Sequence, residues 1–201
     1  MYIPACNRKE ERVLLLEAMR ANSFALLCGP AKPPLTATHL PLTILDEGPH
    51  GVLEGHFAQA NPQASTLAGE QVLVVFSGPH AYVSPRLYEK ASVPTWNYIA
   101  VHAYGRLELL EDDATKEAML AGMFAVYEPE SAALWAGLGS RERAAMLRGI
   151  VGFRIAIERI EGKFKLSQNR PPVDRQSVRD RFAAGNEDER ALAAWMDRLE
   201  I

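Results

Sequence analysis

Cysteine is nearly absent from this chain: 201 residues contain two, Cys6 and Cys28. Two cysteines set up no disulfide framework and offer no zinc spacing. Cys28, inside the apolar run FALLC, reads as a buried thiol. Long apolar runs are missing as well. None approaches the ~18 residues that a membrane span requires, and MYIPACNRKEER lacks the basic start and apolar stretch of a signal peptide. A cytoplasmic protein with no membrane partner is therefore expected. The sequence holds no G-x-G-x-x-G, no P-loop, no G-x-S-x-G elbow and no H-E-x-x-H. Four of the five histidines sit in ATHLP, GHF, GPHAY and AVHAY, scattered rather than at ligand spacing, so no metal is expected. Cations are scarce too: between residues 33 and 105 the only Lys or Arg are Arg86 and Lys90. The formal net charge of -3 argues against a generally cationic nucleic-acid binder. Residues 148–181 depart from this, with nine cations against four acids, an excess of five, and are the one candidate for DNA contact.

What is present reads as many short strands with a few helices. Asn7 and Glu10 have capping-box spacing, and Val13, Leu16 and Met19 recur at helical spacing, which predicts an opening helix. Phe24 to Cys28 is an apolar strand, and GPAKPP is a Pro/Gly loop. LTATHLPLTIL, DEGPHG and VLEGHF form a predicted hairpin. Asn61 begins a short helix with Pro62 at its first position. QVLVVF is a buried strand and GPHAYVSP a turn-rich segment. Asp112 or Asp113 caps a helix running to about Tyr127, with Met119, Met123, Phe124 and Tyr127 on one stripe. Ser140 begins a shorter helix, and VGFRIAIERI returns to strand alternation. Two polar helices, from about Asp174 and about Asn186, close the chain. Closing the strands into a small antiparallel barrel hides their edges, so an α+β, mainly β fold with peripheral helices is expected. It would occupy residues 1–170, with a helical insert at about 112–149 and a helical tail over 171–201.

Three segments stand out chemically. In VPTWNYIAVHAYG, alternation puts Asn97, Ile99, Val101 and Ala103 on a core face and Trp96, Tyr98, Ala100, His102 and Tyr104 on the other. The ring-rich face suits a second packed surface, a subunit interface or a platform for a flat heteroaromatic ring. GHFAQANPQ passes from strand to helix, where unpaired N–H groups attract anions and His56, Gln59 and Gln63 add donors; an ordinary Asn-capped turn fits as well. KLSQNR, residues 165–170, is either a solvated loop or a set of polar groups for a phosphate or ring edge.

MYIP, ATHLP, GHFAQANPQ, GPHAYVSP, VPTWNYIAVHAYG, VGF and KLSQNR occur in one order, and together the chain resembles the PaiB family. That resemblance implies a six-stranded antiparallel split barrel like that of pyridoxamine-phosphate oxidase, a homodimer, FMN at the dimer interface and a role as a negative transcriptional regulator. By analogy Thr38, His39, Leu40 and Pro41 border the isoalloxazine, and the turn holding His56, Ala58, Gln59 and Asn61 takes the phosphate. Lys165, Gln168, Asn169 and Arg170 close over the site, and Tyr82, Trp96, Asn97 and Tyr98 line it. The chain departs from the family pattern where Gln59 replaces a usual Arg and Ala64 a usual Trp. Losing that charge would weaken FMN binding by about tenfold, or abolish it, unless Arg86, Lys165 or Arg170 compensates. Two other readings stay open: a flavin-dependent oxidoreductase acting on a small molecule, with His39, His80 or Tyr82 as proton donors, and a haem-handling protein.

Overall fold

The computed structural model describes residues 1–30 and 35–201, so residues 31–34 of the expected Pro/Gly loop lie outside the described residues. The strands are β1 (Arg8–Lys9), β2 (Phe24–Cys28), β3 (Ala37–Pro41), β4 (Thr43–Leu45), β5 (Val52–Ala58), β6 (Gln71–Val83), β7 (Thr95–Leu110) and β8 (Ile150–Lys165). The helices are α1 (Arg12–Ala21), α2 (Gln63–Thr66), α3 (Asp113–Tyr127), α4 (Ser131–Gly137), α5 (Ser140–Arg148), α6 (Pro172–Ala183) and α7 (Glu187–Arg198). Backbone hydrogen bonds order the strands β3-β2-β6-β7-β8-β5-β4, with β1 added on β8. The β1–β8, β2–β3, β2–β6, β4–β5 and β5–β8 pairs are all antiparallel. The result is the α+β, mainly β architecture expected, with eight strands among the described residues where six were predicted. The additions are short: β1 has two residues, and the run expected as one strand breaks into β3 and β4 at Leu42. Leu42 turns its side chain fully inward while its N–H donates to the Ser23 carbonyl.

Contacts divide the chain into two units. The first holds residues 1–18, 77–101 and 161–201, and the second holds 19–76 and 102–160. In the first unit, α6 and α7 each bury an apolar edge, Val178 with Phe182 and Leu192 with Ala193 and Met196. The helices expected as merely polar are thus packed ones. Trp195 meets Phe164 edge to face at 5.3 Å, and Arg179 grips Asp197 through two hydrogen bonds of 2.8 and 2.6 Å. In the second unit the core centres on Phe57 and Phe153, whose rings lie 4.8 Å apart. At Gly105 a Cβ would overlap the Ala156 carbonyl oxygen, so only glycine allows that approach.

Several predicted details differ. The opening helix starts at Arg12, not after Asn7, which is buried in a short turn over Ala5–Asn7. Val13 is 73% exposed, and the inward positions are Leu14, Leu15, Leu16, Ala18 and Met19. The segment read as turn-rich, GPHAYV, continues β6. There Gly78 and Pro79 are both buried, and the alternation changes phase: Val72, Val74 and Phe76 face inward before that point, Ala81 and Val83 after it. Such a slip is what an extra residue in a strand produces. The helix α4 had no counterpart in the sequence reading; Asp112 caps α3, accepting from the Thr115 N–H at 2.8 Å, as expected.

Candidate functional site

In the second unit β5 ends at Ala58 and the chain turns into α2. Asn61 caps that turn, its Oδ1 accepting the Gln63 N–H at 2.9 Å and its carbonyl the Ala64 N–H at 3.1 Å. The Gln59 N–H donates to Gly149 and the Asn61 N–H to Ala58, at 2.8 and 2.9 Å. Side chains close the same network. Asn61 Nδ2 donates to Thr38 Oγ1 at 3.2 Å, Thr38 donates to Gln63 Oε1, and Gln63 Nε2 donates to Thr36 at 3.0 Å. The N–H groups of Gln59, Asn61, Gln63 and Ala64 are thus committed, and α2 has only four residues. Of the remaining predicted residues here, His39 stacks on Phe24 at 6.0 Å, Leu40 is buried, and Pro41 pairs with Phe24 across β2–β3.

Beside this turn lies a cavity of about 560 Å³, within the ~300–1,000 Å³ common for small-molecule sites. Gln59, Asn61 and Ser65 supply neutral polar groups, Glu111 a carboxylate, and Leu109, Ile150 and Val151 apolar walls. Its cation is Lys116 of α3, whose ammonium is 3.7 Å from Asp113. The sequence reading missed Lys116. The signal was there: residues 116, 119 and 123 share one helical stripe, and Met119 and Met123 are its buried members.

His56 is half-buried, and its Nδ1 finds no hydrogen-bond partner among the described residues. Burial pushes its imidazole below the usual 6.5. The unfolded chain then takes up the proton first. Stability from neutral His56 is complete above the unfolded pKa and is lost as pH falls through the folded one. Melting temperatures of wild type and His56→Gln, measured from about pH 7 to about pH 5, should show the flatter profile in the variant. Parallel profiles would assign the acid sensitivity elsewhere.

In the first unit, β7 keeps its predicted alternation. Asn97, Ile99 and Val101 are buried, while Trp96 is 51% exposed. Tyr82 meets Trp96 edge to face at 6.0 Å, and His80 lies 6.2 Å from the indole. These rings form one wall of a groove of about 590 Å³ that also includes Arg86, Arg181 and Asp188. Tyr98 has the Lys163 ammonium 5.3 Å from its ring. Further along β7, in the second unit, the Arg159 guanidinium lies 3.6 Å over the Tyr104 ring.

The KLSQNR segment is ordered by its own side chains. Gln168 Oε1 accepts the Leu166 N–H at 2.7 Å and Gln168 Nε2 donates to the Phe164 carbonyl, so this amide staples its own loop. Asn97 and Ser167, both buried, exchange hydrogen bonds of 3.0 and 3.2 Å. Lys165, Asn169 and Arg170 border a second, smaller cavity in this unit. The predicted residues therefore gather at three places: the capped turn, the aromatic groove and the 165–170 loop.

The comparisons with known proteins agree with this architecture. The profile of the family described as "Putative FMN-binding domain" matches residues 1–159. Over 181 residues the chain is 40% identical to Protease synthase and sporulation protein PAI 2 of Bacillus subtilis (strain 168), covering 89% of this chain and 87% of that protein. It is 29% identical over 222 residues to uncharacterized protein AN0679 of Emericella nidulans, covering 89% and 88%. Among solved structures, the FAD and heme binding protein from Mycobacterium smegmatis has a TM-score of 0.64 at 16% identity, over 90% of this chain and 81% of that one. The flavocytochrome Anf3 from Azotobacter vinelandii has a TM-score of 0.60 at 16% identity, over 92% and 74%. At such identity these two show a shared fold. The flavin-domain match over residues 1–159 and the PAI 2 relationship together place the chain: it belongs to the PaiB family of FMN-binding split-barrel proteins.

Proposed function

We propose that this protein is an FMN-binding transcriptional regulator that works as a homodimer. One observation carries the reading: 40% identity to PAI 2 across 87% of that protein, whose name links it to protease synthesis and sporulation. FMN is the cofactor of the family, and the residues beside the capped turn fit such a group. The 560 Å³ cavity joins apolar walls to a polar end where Lys116, Gln59 and Ser65 would meet a phosphate. Because the amides of Gln59, Asn61, Gln63 and Ala64 are taken, the charge must come from a side chain, and Lys116 supplies it. When bound, a flavin supplies hydride and electron transfer. Among the described residues no helix is long and apolar enough to cross a membrane.

The half-exposed rings of Trp96 and Tyr82 suit a second copy of the chain, since aromatic side chains with one wet end are enriched at interfaces. Purified protein should show the visible flavin band, or gain it on adding FMN, and should sediment as a dimer. It should also retard a specific DNA fragment with a steep salt dependence. A protein that never takes up FMN would end the flavin part. Absence of specific retardation at any salt would end the regulatory part.

A further inference from the structure

We propose that the small cavity beside the 165–170 loop is a binding site for a tetrahedral oxyanion, free or as the end of a phosphate monoester, held by Lys165, Arg170 and the Tyr88 hydroxyl. The cavity measures about 120 Å³ and is bordered by Tyr88, Thr95, Asn97, Lys165, Asn169 and Arg170. A water occupies roughly 30 Å³ of liquid, so there is room for one phosphate-sized ion and little else.

The charge in this cavity is uncompensated. Lys165 Nζ donates to Thr95 Oγ1 and, at 2.7 Å, to the Trp96 carbonyl, which leaves one ammonium N–H unused. Arg170 donates to Ser92 Oγ at 2.8 Å and lies 4.1 Å over the Tyr88 ring, leaving most of its five N–H groups open. All of these partners are neutral; among the described residues neither cation forms an ion pair with a carboxylate. Burial, followed by the charges of Lys163 and Arg170, pushes the Lys165 ammonium below the ordinary lysine value. Crowded cations of this kind are stabilised by an anion between them.

A second observation is independent of charge. Tyr88 is only 8% exposed, lines the cavity, and its hydroxyl is buried without a hydrogen-bond partner among the described residues. A buried hydroxyl without a partner is uncommon and points to a missing acceptor. The floor is also built rather than accidental. Asn97 and Ser167 hold each other there, and Ser167 sits at a φ of 66°, a conformation that side chains other than glycine adopt only when surroundings impose it. The resemblance gives Lys165, Asn169 and Arg170 to a cover over the flavin, but they border a cavity that shares no lining residue with the one beside the capped turn, and the family profile ends at residue 159. The inference does not rest on the flavin reading.

The test is thermal stability and calorimetry of the full-length protein, with and without saturating FMN, titrated with inorganic phosphate, sulfate and phenyl phosphate. Sodium chloride at matched ionic strength is the control. Phosphate should raise the melting temperature saturably in both states. Lys165→Gln and Arg170→Gln should each weaken phosphate by roughly tenfold or more. Tyr88→Phe keeps the ring and should weaken it several-fold while leaving the FMN titration unchanged. Tighter binding of phenyl phosphate would identify a monoester as the ligand, and equal or weaker binding would identify the free ion; either supports the site. Four results would overturn it: no shift, an equal shift with chloride, a shift insensitive to all three variants, or one abolished by saturating FMN.

Discussion

Lys116→Gln should raise the dissociation constant for FMN by about 10–100-fold, because a hydrogen bond to a charged group contributes roughly 1.5–3 kcal/mol. In the turn beside the cavity the N–H groups of Gln59, Asn61, Gln63 and Ala64 are already committed, and the Gln59 side chain offers only a neutral amide. Lys116 is the cation among the cavity's lining residues, and Asp113 at 3.7 Å shares part of its charge. Gln59→Arg should act in the opposite direction by adding a second cation to the same wall, tightening FMN by about tenfold. Flavin fluorescence titration of both variants, with circular dichroism as a check on folding, reads the pair. Unchanged affinity in both would move the phosphate away from this cavity.

Phe153→Ala should lower stability by about 3–5 kcal/mol, the usual cost of emptying a large aromatic site in a core. Phe153 is fully buried and packs on Phe57 at 4.8 Å. The space cannot easily collapse. Gly55 already approaches so closely that a Cβ there would lie 3.2 Å from the Phe153 ring and overlap more tightly with Leu42. For a chain of this size the melting temperature should fall by roughly 6–20 °C, measurable by calorimetry. A drop of only a degree or two would mean that the second unit repacks, and that its core is looser than these contacts indicate.

Much of this arrangement was legible beforehand, for identifiable reasons. The faces of β7 were readable because alternation is strict from Asn97 to Leu107 and one face is fully buried. Asp112 was readable as a helix cap, and Asn61 as the residue that turns the chain toward α2, because a short polar side chain ahead of a helix is chemically distinctive. Asn7 carried the same signal and misled, since Cys6–Asn7 belongs to a separate tight turn and α1 begins later. The Gly78-Pro79 pair was read as a turn from composition, whereas both residues are buried within the continuous run of β6. Of the site, residue types were visible and their associations were not. Gln168 looked like a ligand donor but binds its own backbone, Lys116 was visible only through the helical stripe it shares with Met119 and Met123, and Tyr88 carried no local signature strong enough to select it. Such groupings arise from contacts distant in sequence, as where Asn97 meets Ser167, 70 positions away.

The change of phase in β6 has a consequence for how the aromatic wall came to exist. Had inward and outward positions kept their first parity, Tyr82 and His80 would point to the interior and Ala81 and Val83 to water. One additional residue, spent at Gly78-Pro79, instead delivers phenol and imidazole to the surface beside Trp96. The groove is thus a matter of chain length as much as of residue type, and shortening that strand by a single position would erase it without altering any ring.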